Sequence, residues 1–143
     1  MEPASVFEYP LEIRFRDCDA LKHVNHAVYV TYCEQARFAY WRHLTGATGI
    51  EDIHFIVARV EFDYSAPATL GDQLVVRLWT SAIGRSSFTM DYEIADPTAG
   101  RVFAKARTVQ VMFDYAAGKS VPIPAHVREL LEASARESGR ATL

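Results

Sequence analysis

Alternation of hydrophobic and polar residues predicts a series of β-strands along this chain. In the first stretch, Leu11, Ile13 and Phe15 alternate with charged residues. Because Pro10 has no N–H to donate, this strand begins there or lies at the edge of a sheet. The remaining strands are predicted at residues 58–64, 73–83, 88–94 and 101–113.

Between the first two strands the hydrophobic period changes to three and four residues, which predicts one long helix from Ala27. The residues that share its main hydrophobic face are Tyr29, Cys33, Ala36, Tyr40 and Leu44. Further apolar residues cover most of its circumference, so we expect other elements to enclose this helix. Asn25 precedes it and is a favoured N-cap, because its side-chain oxygen can accept a first-turn N–H. Gly46 and Gly49 close it.

The order of these elements predicts an α+β domain. Tight turns join the later strands, which favours an antiparallel sheet, and Gly84–Arg85 can form a two-residue turn with positive φ at Gly84. A short C-terminal helix is predicted within residues 123–134, where Pro124 suits the first turn. We expect a single domain over residues 1–143, with the long helix held against the concave face of a curved five-stranded antiparallel sheet.

Composition narrows the possible function classes. The chain has 143 residues and a net charge of -3, which disfavours nucleic acid as a partner because phosphate binding needs a concentrated positive surface. Its two cysteines are too few for a disulfide framework, so we expect free thiols in a reducing compartment. The first residues lack the apolar segment of a signal peptide, and no run of about 18 apolar residues predicts a membrane span. A cytoplasmic protein is therefore expected.

Two carboxylates and two histidines gather where the first strand ends and the long helix begins. Asp17 and Asp19 follow the strand, and His23 and His26 precede the helix. A helix N-terminus presents unpaired N–H groups and a partial positive charge, which can hold the negative charge that develops during acyl-group hydrolysis. A nearby carboxylate can attack the carbonyl or activate water. The alternative, a helix cap or a surface charge, is the commoner role of an Asp at such a position.

Other chemistries find less support. The two histidines before the helix resemble half of a metal site, but no third ligand stands at a standard spacing, so no metal is expected. Cys33 is predicted to face the core, which disfavours a cysteine nucleophile. Asp17 is expected to pair with Arg14 or Arg16 in a structural role. Motifs of serine hydrolases, phosphate loops and dinucleotide-binding folds do not occur. Acyl-group hydrolysis by the groups at the helix start implies no metal or redox cofactor.

The stretch around the helix start resembles a known family. RFRDCDALKHVNHAVYVTYCEQAR is similar to the signature of the 4-hydroxybenzoyl-CoA thioesterase-like branch of the hotdog-fold superfamily. That signature runs from a strand through Asp-x-Asp and a His-Val-Asn loop into an aromatic-rich helix with an acid and an Arg, here Glu34 and Arg37. The stretches VEFDYSAPATLGDQLVV, GRSSFTMDYEI and PIPAHVRELL extend the resemblance over nearly the whole chain. It implies the hotdog fold, a long central helix wrapped by a curved antiparallel sheet.

The resemblance also implies an acyl-CoA thioesterase and assigns roles to several residues. Asp19, the second acid of the pair, acts on the thioester as nucleophile or as general base for water. A backbone N–H seven residues later, at His26 or Ala27, polarises the thioester carbonyl, and the His26 side chain assists in some relatives. Asn25 and His23 support this loop structurally, Asn25 by capping the helix.

A homodimer or homotetramer that joins sheet edges is a further implication, with the active sites at the junction. An acyl-CoA, or an acyl group on acyl carrier protein, would enter between the subunits, so CoA is expected only as part of the substrate. The residues expected to contact the pantetheine arm or the phosphates are Arg85, Ser86 and Ser87, with charge added by Lys105 and Arg107. The alternative for the three basic residues is a solvated surface. Phe55 and Val57 are expected to line the acyl pocket, although a core role for this stretch is equally open.

Two other functions compete with thioester hydrolysis. The same fold suits an acyl-ligand binding protein without turnover, but the presence of Asp19 and of the His-Val-Asn loop favours catalysis. Hydratase or dehydratase chemistry needs a His/Asp pair arranged differently around the helix, and the sequence does not offer that arrangement.

Overall fold

A computed structural model describes residues 6–138 of the chain as two helices and one antiparallel sheet. The strands are β1 (Phe7–Glu12), β2 (Phe55–Tyr64), β3 (Gln73–Ile83), β4 (Ser87–Ala95), β5 (Val102–Asp114) and β6 (Lys119–Ser120). The helices are α1 (Val28–Thr45) and α2 (Ala125–Ser138), with 3-10 turns at Phe15–Asp17 and Ile50–Asp52. The sheet order is β1-β3-β4-β5-β2, and β6 pairs with β5 off this path. The predicted α+β arrangement is confirmed, with the two-residue β6 as an addition.

The inner face of the sheet packs against α1. At the C-terminal end of α1, the Trp41 ring lies 4.9 Å from that of Phe55 and 5.6 Å from that of Phe88. At its N-terminal end, the Tyr29 ring lies 5.3 Å from that of Tyr64. Since Phe55 begins β2 and Tyr64 ends it, α1 runs alongside β2 in the opposite direction.

Four of the five residues predicted to share the buried face of α1, Tyr29, Cys33, Ala36 and Tyr40, are buried, and Leu44 is partly buried. The buried residues of α1 are Tyr29, Tyr32, Cys33, Ala36, Arg37, Tyr40 and Trp41. The opposite side, which carries Thr31, Glu34 and Gln35, is exposed, so within one chain the sheet covers α1 on one side only. α2 packs against β3 and α1 through Val127 and Leu131. Neither helix of residues 6–138 is long and apolar enough to cross a membrane.

The first strand lies earlier than predicted. β1 ends at Glu12, and Phe15 lies in a 3-10 turn where it is 84% exposed. Beyond β1, Ile13 is buried, but the 3-10 turn rotates Phe15 outwards. The strand predicted from the alternation was therefore too long at its C-terminal end. Pro10 lies inside β1, which is possible because β1 is an edge strand with ladder hydrogen bonds on one side only.

The connection between β3 and β4 also differs from the prediction. Gly84 does not have a positive φ, and three residues, 84–86, lie between the two strands. The Gly84 N–H donates to the Ser87 carbonyl (2.7 Å). A three-residue connection does not need the two-residue turn for which a glycine at positive φ was predicted. A register shift between Thr80 and Ala82 curves β3 before this connection.

β2 is the second edge strand, and it exposes hydrophobic side chains. Among residues 6–138 it pairs only with β5, so its outer N–H and C=O groups have no strand partner. Val57, Val60 and Tyr64 are 38%, 44% and 47% exposed. A long apolar edge of this kind attracts another strand unless it is covered.

Candidate active site

The chain between β1 and α1 forms a compact loop held by its own backbone. Cys18 and Val24 form an isolated antiparallel bridge, and the Asp19 N–H donates to the His23 carbonyl (3.1 Å). The Lys22 N–H donates to the Asp19 carbonyl (2.9 Å), with a φ of 69° at Lys22. Because a positive φ is uncommon for a residue with a side chain, these bonds hold Lys22 in a rarely adopted conformation. The loop thus fixes Asp19 beside the start of α1.

The Asp19 carboxylate is connected to the start of α1 through Asn25. Its Oδ1 accepts the Leu21 N–H (2.9 Å), and its Oδ2 accepts the side-chain amide of Asn25 (3.3 Å). The Asn25 Oδ1 in turn accepts the Ala27 N–H (2.9 Å), and the Asn25 carbonyl accepts the Val28 N–H (2.9 Å). The Asn25 side chain therefore contributes both to the orientation of the carboxylate and to that of the helix start.

The helix start differs by one residue from the prediction. α1 begins at Val28, and Ala27 rather than Asn25 is its N-cap residue. Asn25 nevertheless satisfies a backbone donor at the helix start, as the predicted cap would, because its Oδ1 accepts the Ala27 N–H. The His26 N–H has no acceptor among residues 6–138. Of the two backbone donors that the resemblance offered, His26 and Ala27, only the Ala27 N–H has an acceptor within residues 6–138.

Three tyrosine hydroxyls anchor this region, and sequence reasoning missed all three. The Tyr32 hydroxyl donates to the Asp17 carboxylate (2.7 Å), and the Tyr64 hydroxyl donates to the His26 carbonyl (2.8 Å). The Tyr29 hydroxyl accepts the Ala68 N–H (3.3 Å). The available signal was their position, since Tyr29 and Tyr32 lie in the first turns of the helix and Tyr64 lies in the VEFDYSAPATLGDQLVV stretch of the family resemblance.

Asp17 has different partners from those predicted. Its Oδ2 accepts the Tyr32 hydroxyl and the Arg14 backbone N–H (2.9 Å), and it forms no ion pair with a guanidinium among residues 6–138. The predicted ion pair with Arg14 or Arg16 is therefore wrong. The 3-10 turn is the reason, because it brings the Arg14 backbone, not its side chain, to the carboxylate. Burial and the Asp17 carboxylate raise the pKa of Tyr32 above its ordinary value, so this hydroxyl remains a neutral donor.

The histidines and Cys33 are the other chemistry-bearing residues near the helix start. The His26 side chain is exposed, with its ring edge-on to Tyr64 at 6.5 Å, and His23 is partly buried. Within residues 6–138 there is no group of three His, Cys, Asp or Glu side chains placed to hold a metal ion. Cys33 faces the core as predicted, and burial raises the pKa of its thiol to about 12, so it is not a thiolate near neutral pH.

The residues predicted to bind CoA lie at the opposite end of α1 from Asp19. Ser87 begins β4, whose Phe88 stacks on Trp41 near the C-terminal end of α1. The Arg85 carbonyl accepts the Ile123 N–H (2.9 Å), and the Ser86 carbonyl accepts the Met112 N–H (2.8 Å). The backbone of this connection is therefore fixed at that end of α1. α1 has 18 residues, which corresponds to about 27 Å. One chain alone therefore does not bring Arg85–Ser87 to its own Asp19.

The other predicted binding residues are also separated from Asp19 within the chain. Phe55 is 6% exposed and packs against Trp41 and Phe88, so in the single chain it has the core role. Val57 is 38% exposed on the free edge. Lys105 and Arg107 are exposed on the outer face of the sheet, away from α1, where Arg107 pairs with a neighbouring carboxylate (2.7 Å).

Two clefts flank the C-terminal half of α1. One has a volume of about 830 Å³ and lies between α1, β5 and α2, with Trp41 and Met112 in its wall. The other, of about 770 Å³, is mainly apolar and is lined by Phe38, Ile53 and Tyr115. Asp19 and His26 line neither cleft. A ligand confined to either cleft of one chain therefore does not contact Asp19 or His26.

Comparison with known proteins identifies the family. The sequence pattern of the thioesterase-like superfamily matches residues 13–131. A 1,4-dihydroxy-2-naphthoyl-CoA hydrolase from Synechococcus elongatus is 27% identical over 138 residues, covering 90% of this chain and 97% of that protein. The long-chain acyl-CoA thioesterase FadM from Escherichia coli is 27% identical over 127 residues, covering 85% of this chain and 94% of that protein.

The chain is also similar to solved structures of thioesterases. A thioesterase from Thermus thermophilus, complexed with coenzyme A and Zn, has a TM-score of 0.83 and 37% identity, covering 99% of this chain and 100% of that one. A 1,4-dihydroxy-2-naphthoyl-CoA thioesterase from Synechocystis has a TM-score of 0.79 and 22% identity, covering 89% and 96%, and this likeness concerns the fold alone. The predicted hotdog fold is confirmed by these likenesses. The chain belongs to the thioesterase-like superfamily, as its Asp-x-Asp and His-Val-Asn stretch predicted.

Proposed function

We propose that this chain hydrolyses acyl-CoA thioesters to a carboxylic acid and free CoA, with Asp19 and the start of α1 as the catalytic groups. The chain is a thioester hydrolase by its family and by its relatives, which are named CoA hydrolases and thioesterases. Coenzyme A as the carrier is supported by the Thermus thermophilus thioesterase, whose structure contains it. The proposed reaction uses no metal or redox cofactor.

The observation that carries the proposal is the pairing of a carboxylate with a free backbone donor. Asp19 is linked through the Asn25 side chain to the helix start, where the His26 N–H has no partner among residues 6–138. We assign this N–H as the donor to the thioester carbonyl, because the Ala27 N–H is already bonded to Asn25. The helix dipole adds positive potential at the same place. Preorganised donors of this kind contribute about 10²–10³-fold each to the rate.

Asp19 can act by two routes that give the same products. As a general base, it takes a proton from water while the water oxygen forms a bond to the carbonyl carbon. As a nucleophile, its own oxygen forms that bond, and water then cleaves the resulting anhydride. In either route the C–S bond breaks when the tetrahedral intermediate collapses, and the CoA thiolate leaves and takes up a proton. Leu21 N–H and the Asn25 amide hold the carboxylate in orientation for either attack.

We further propose that the active enzyme is at least a homodimer joined along β2. This edge is unpaired in residues 6–138 and exposes Val57 and Val60. Two β2 strands related by a two-fold axis pair antiparallel, so the end of one strand lies beside the beginning of the other. Because α1 runs along β2, Arg85 of the partner subunit and the neighbouring clefts then come close to Asp19. This arrangement brings together the groups that one chain keeps at opposite ends of α1, a helix of about 27 Å.

The proposal is tested by measuring release of free CoA thiol from acetyl-, hexanoyl-, palmitoyl- and benzoyl-CoA. The parent is expected to hydrolyse at least one of them, and Asp19→Asn is expected to lower kcat by about 10²–10⁴-fold, since it removes the base or nucleophile. Glu12→Gln, which changes an exposed carboxylate at the end of β1, is the matched control and should retain the parent rate.

Two results contradict this assignment. Hydrolysis by Asp19→Asn at the parent rate would exclude Asp19 from catalysis. Binding of CoA esters by the parent without release of thiol, measured by calorimetry beside the hydrolysis assay, would favour the acyl-ligand binding protein instead. Circular dichroism and size-exclusion chromatography of the variants establish that fold and assembly are unchanged.

A further inference from the structure

We propose that Tyr64 is a positioning residue for the reaction: its hydroxyl fixes the His26 backbone and thereby aims the free His26 N–H at the thioester carbonyl. This inference rests on the proposed function and extends it to a residue outside the signature loop. Tyr64 is 38 residues from His26 in sequence, and its hydroxyl donates to the His26 carbonyl at 2.8 Å. It does not bond the Asp19 carboxylate, which accepts from Leu21 and Asn25.

The His26 carbonyl is available because the first turn of α1 is tighter than a regular α-helix. The Val28 N–H donates to the Asn25 carbonyl (2.9 Å), and the Val30 N–H donates to the Ala27 carbonyl (3.2 Å). In a regular α-helix the Val30 N–H would reach His26 instead. Tyr64 supplies the donor that the helix does not, so this carbonyl is satisfied by a tertiary bond from β2.

Both peptide groups that flank the His26 Cα are thereby held. The preceding group is fixed by the Asn25 carbonyl, and the following group is fixed by the bond from Ala27 N–H to Asn25 and by the bond from Tyr64. All of these bonds except the one from Tyr64 are local to residues 25–28. Without the Tyr64 hydroxyl, the His26 carbonyl would lose the one bond that residues 6–138 give it from outside the loop. The direction of the His26 N–H would then depend on the local bonds of residues 25–28 alone.

The Tyr64 ring is itself well placed to aim the hydroxyl. It stacks on Phe62 (5.6 Å) and packs edge-on against Tyr29 (5.3 Å), contacts that a phenylalanine would keep. The side chain is 47% exposed, so removal of the hydroxyl leaves the hydrophobic core intact. The rate is more sensitive than the free energy of unfolding to a small shift of a catalytic group, because a displacement of about 1 Å can lower the rate 10²-fold.

The experiment compares Tyr64→Phe with the parent, with Asp19→Asn and with Tyr40→Phe, in the same assay of thiol release. Tyr64→Phe is expected to lower kcat about tenfold or more with KM within about twofold of the parent. Its melting temperature should remain close to that of the parent. Tyr40→Phe removes a buried hydroxyl that bonds Thr80 (2.9 Å) and Ser134 (2.5 Å), away from the helix start. It should lower the melting temperature and leave kcat unchanged.

Each other outcome overturns a defined part of the inference. A parental kcat in Tyr64→Phe, with Asp19→Asn inactive, rejects the role of Tyr64 and leaves the proposed function standing. A raised KM at constant kcat assigns Tyr64 to substrate binding, and equal loss of kcat in Tyr64→Phe and Tyr40→Phe assigns it to general stability; either result rejects positioning. A fully active Asp19→Asn, or a parent that hydrolyses none of the four esters, rejects the proposed function and this inference with it.

Discussion

Asp17 and Asp19 are two residues apart, yet their carboxylates have different surroundings. The Asp17 carboxylate accepts hydrogen bonds from the Tyr32 hydroxyl and from the Arg14 backbone N–H. These bonds tie the loop to α1. Asp19 accepts Leu21 N–H and a longer bond from the Asn25 amide, and it lies beside a helix start whose His26 N–H has no acceptor among residues 6–138. Asp17 is the last residue of the 3-10 turn, whereas Asp19 lies in the loop that follows, which is closed by the bonds from Asp19 N–H to the His23 carbonyl and from Lys22 N–H to the Asp19 carbonyl. We infer that Asp17 holds the loop while Asp19 serves the chemistry.

The bond between Tyr32 and Asp17 yields a prediction about stability. Tyr32→Phe should lower the free energy of unfolding by about 1–2 kcal/mol, since it deletes a hydrogen bond to a partly buried charged group. Urea denaturation measures the change. The combined variant with Asp17→Asn should lose less than the sum of the two single variants, because both remove the same bond. Tyr9→Phe, a partly buried tyrosine on β1, is the control, and equal stability of Tyr32→Phe and Tyr9→Phe would contradict the prediction.

At the scale of elements, α1 and β2 are the two that decide where the site is. The hydrophobic period of α1 predicted its buried side, but it did not predict that Arg37 is among the buried residues. Arg37 is 9% exposed and donates to the Tyr92 hydroxyl (3.2 Å), a neutral partner on β4. A sequence pattern treats an arginine as exposed because burial of its charge depends on a partner that only the fold supplies.

The free edge of β2 yields a prediction about assembly. Val60→Lys should convert the proposed dimer into monomers and abolish hydrolysis, because a charge on an edge strand opposes strand pairing. Light scattering coupled to size-exclusion chromatography measures the mass. The control is Leu70→Lys, which places the same charge at a residue that is 53% exposed in the turn before β3. A Val60→Lys variant that remains dimeric and active would rule out pairing along β2.

At the scale of the whole molecule, several groups are kept neutral by burial. Burial raises the pKa of Cys33 from 9.0 to about 12, and it also raises the pKa of Tyr32 and Tyr92. A group whose folded pKa is raised contributes stability that is present below its unfolded pKa. That stability is lost as pH rises towards the folded pKa. For Cys33 this window opens near pH 9 and closes near pH 12.

The resulting prediction is a loss of stability in alkali. The urea midpoint of the parent should fall as pH rises above about 9, because the unfolded chain releases protons that the folded chain retains. Cys33→Ala should show a shallower fall between pH 9 and 10, before the tyrosines of the unfolded chain ionise. Cys18→Ala, which changes a partly buried cysteine outside the core, should behave like the parent. An identical slope in Cys33→Ala and the parent would show that this thiol is not the source.

The sequence by itself determined the elements of this protein and the segment that carries its chemistry. The periods of two and three to four residues are set by backbone geometry, so they predicted β3 at residues 73–83 and the buried side of α1. The signature around Asp19 predicted the family because its residues are neighbours in the chain and can be recognised without the fold. Tertiary structure alone decided which groups meet across the chain. It bonded Tyr64 to His26, left the β2 edge without a partner strand in residues 6–138, and placed Arg85 at the far end of α1 from Asp19. Such contacts depend on how the sheet curves around the helix, and a periodic pattern carries no information about that curvature.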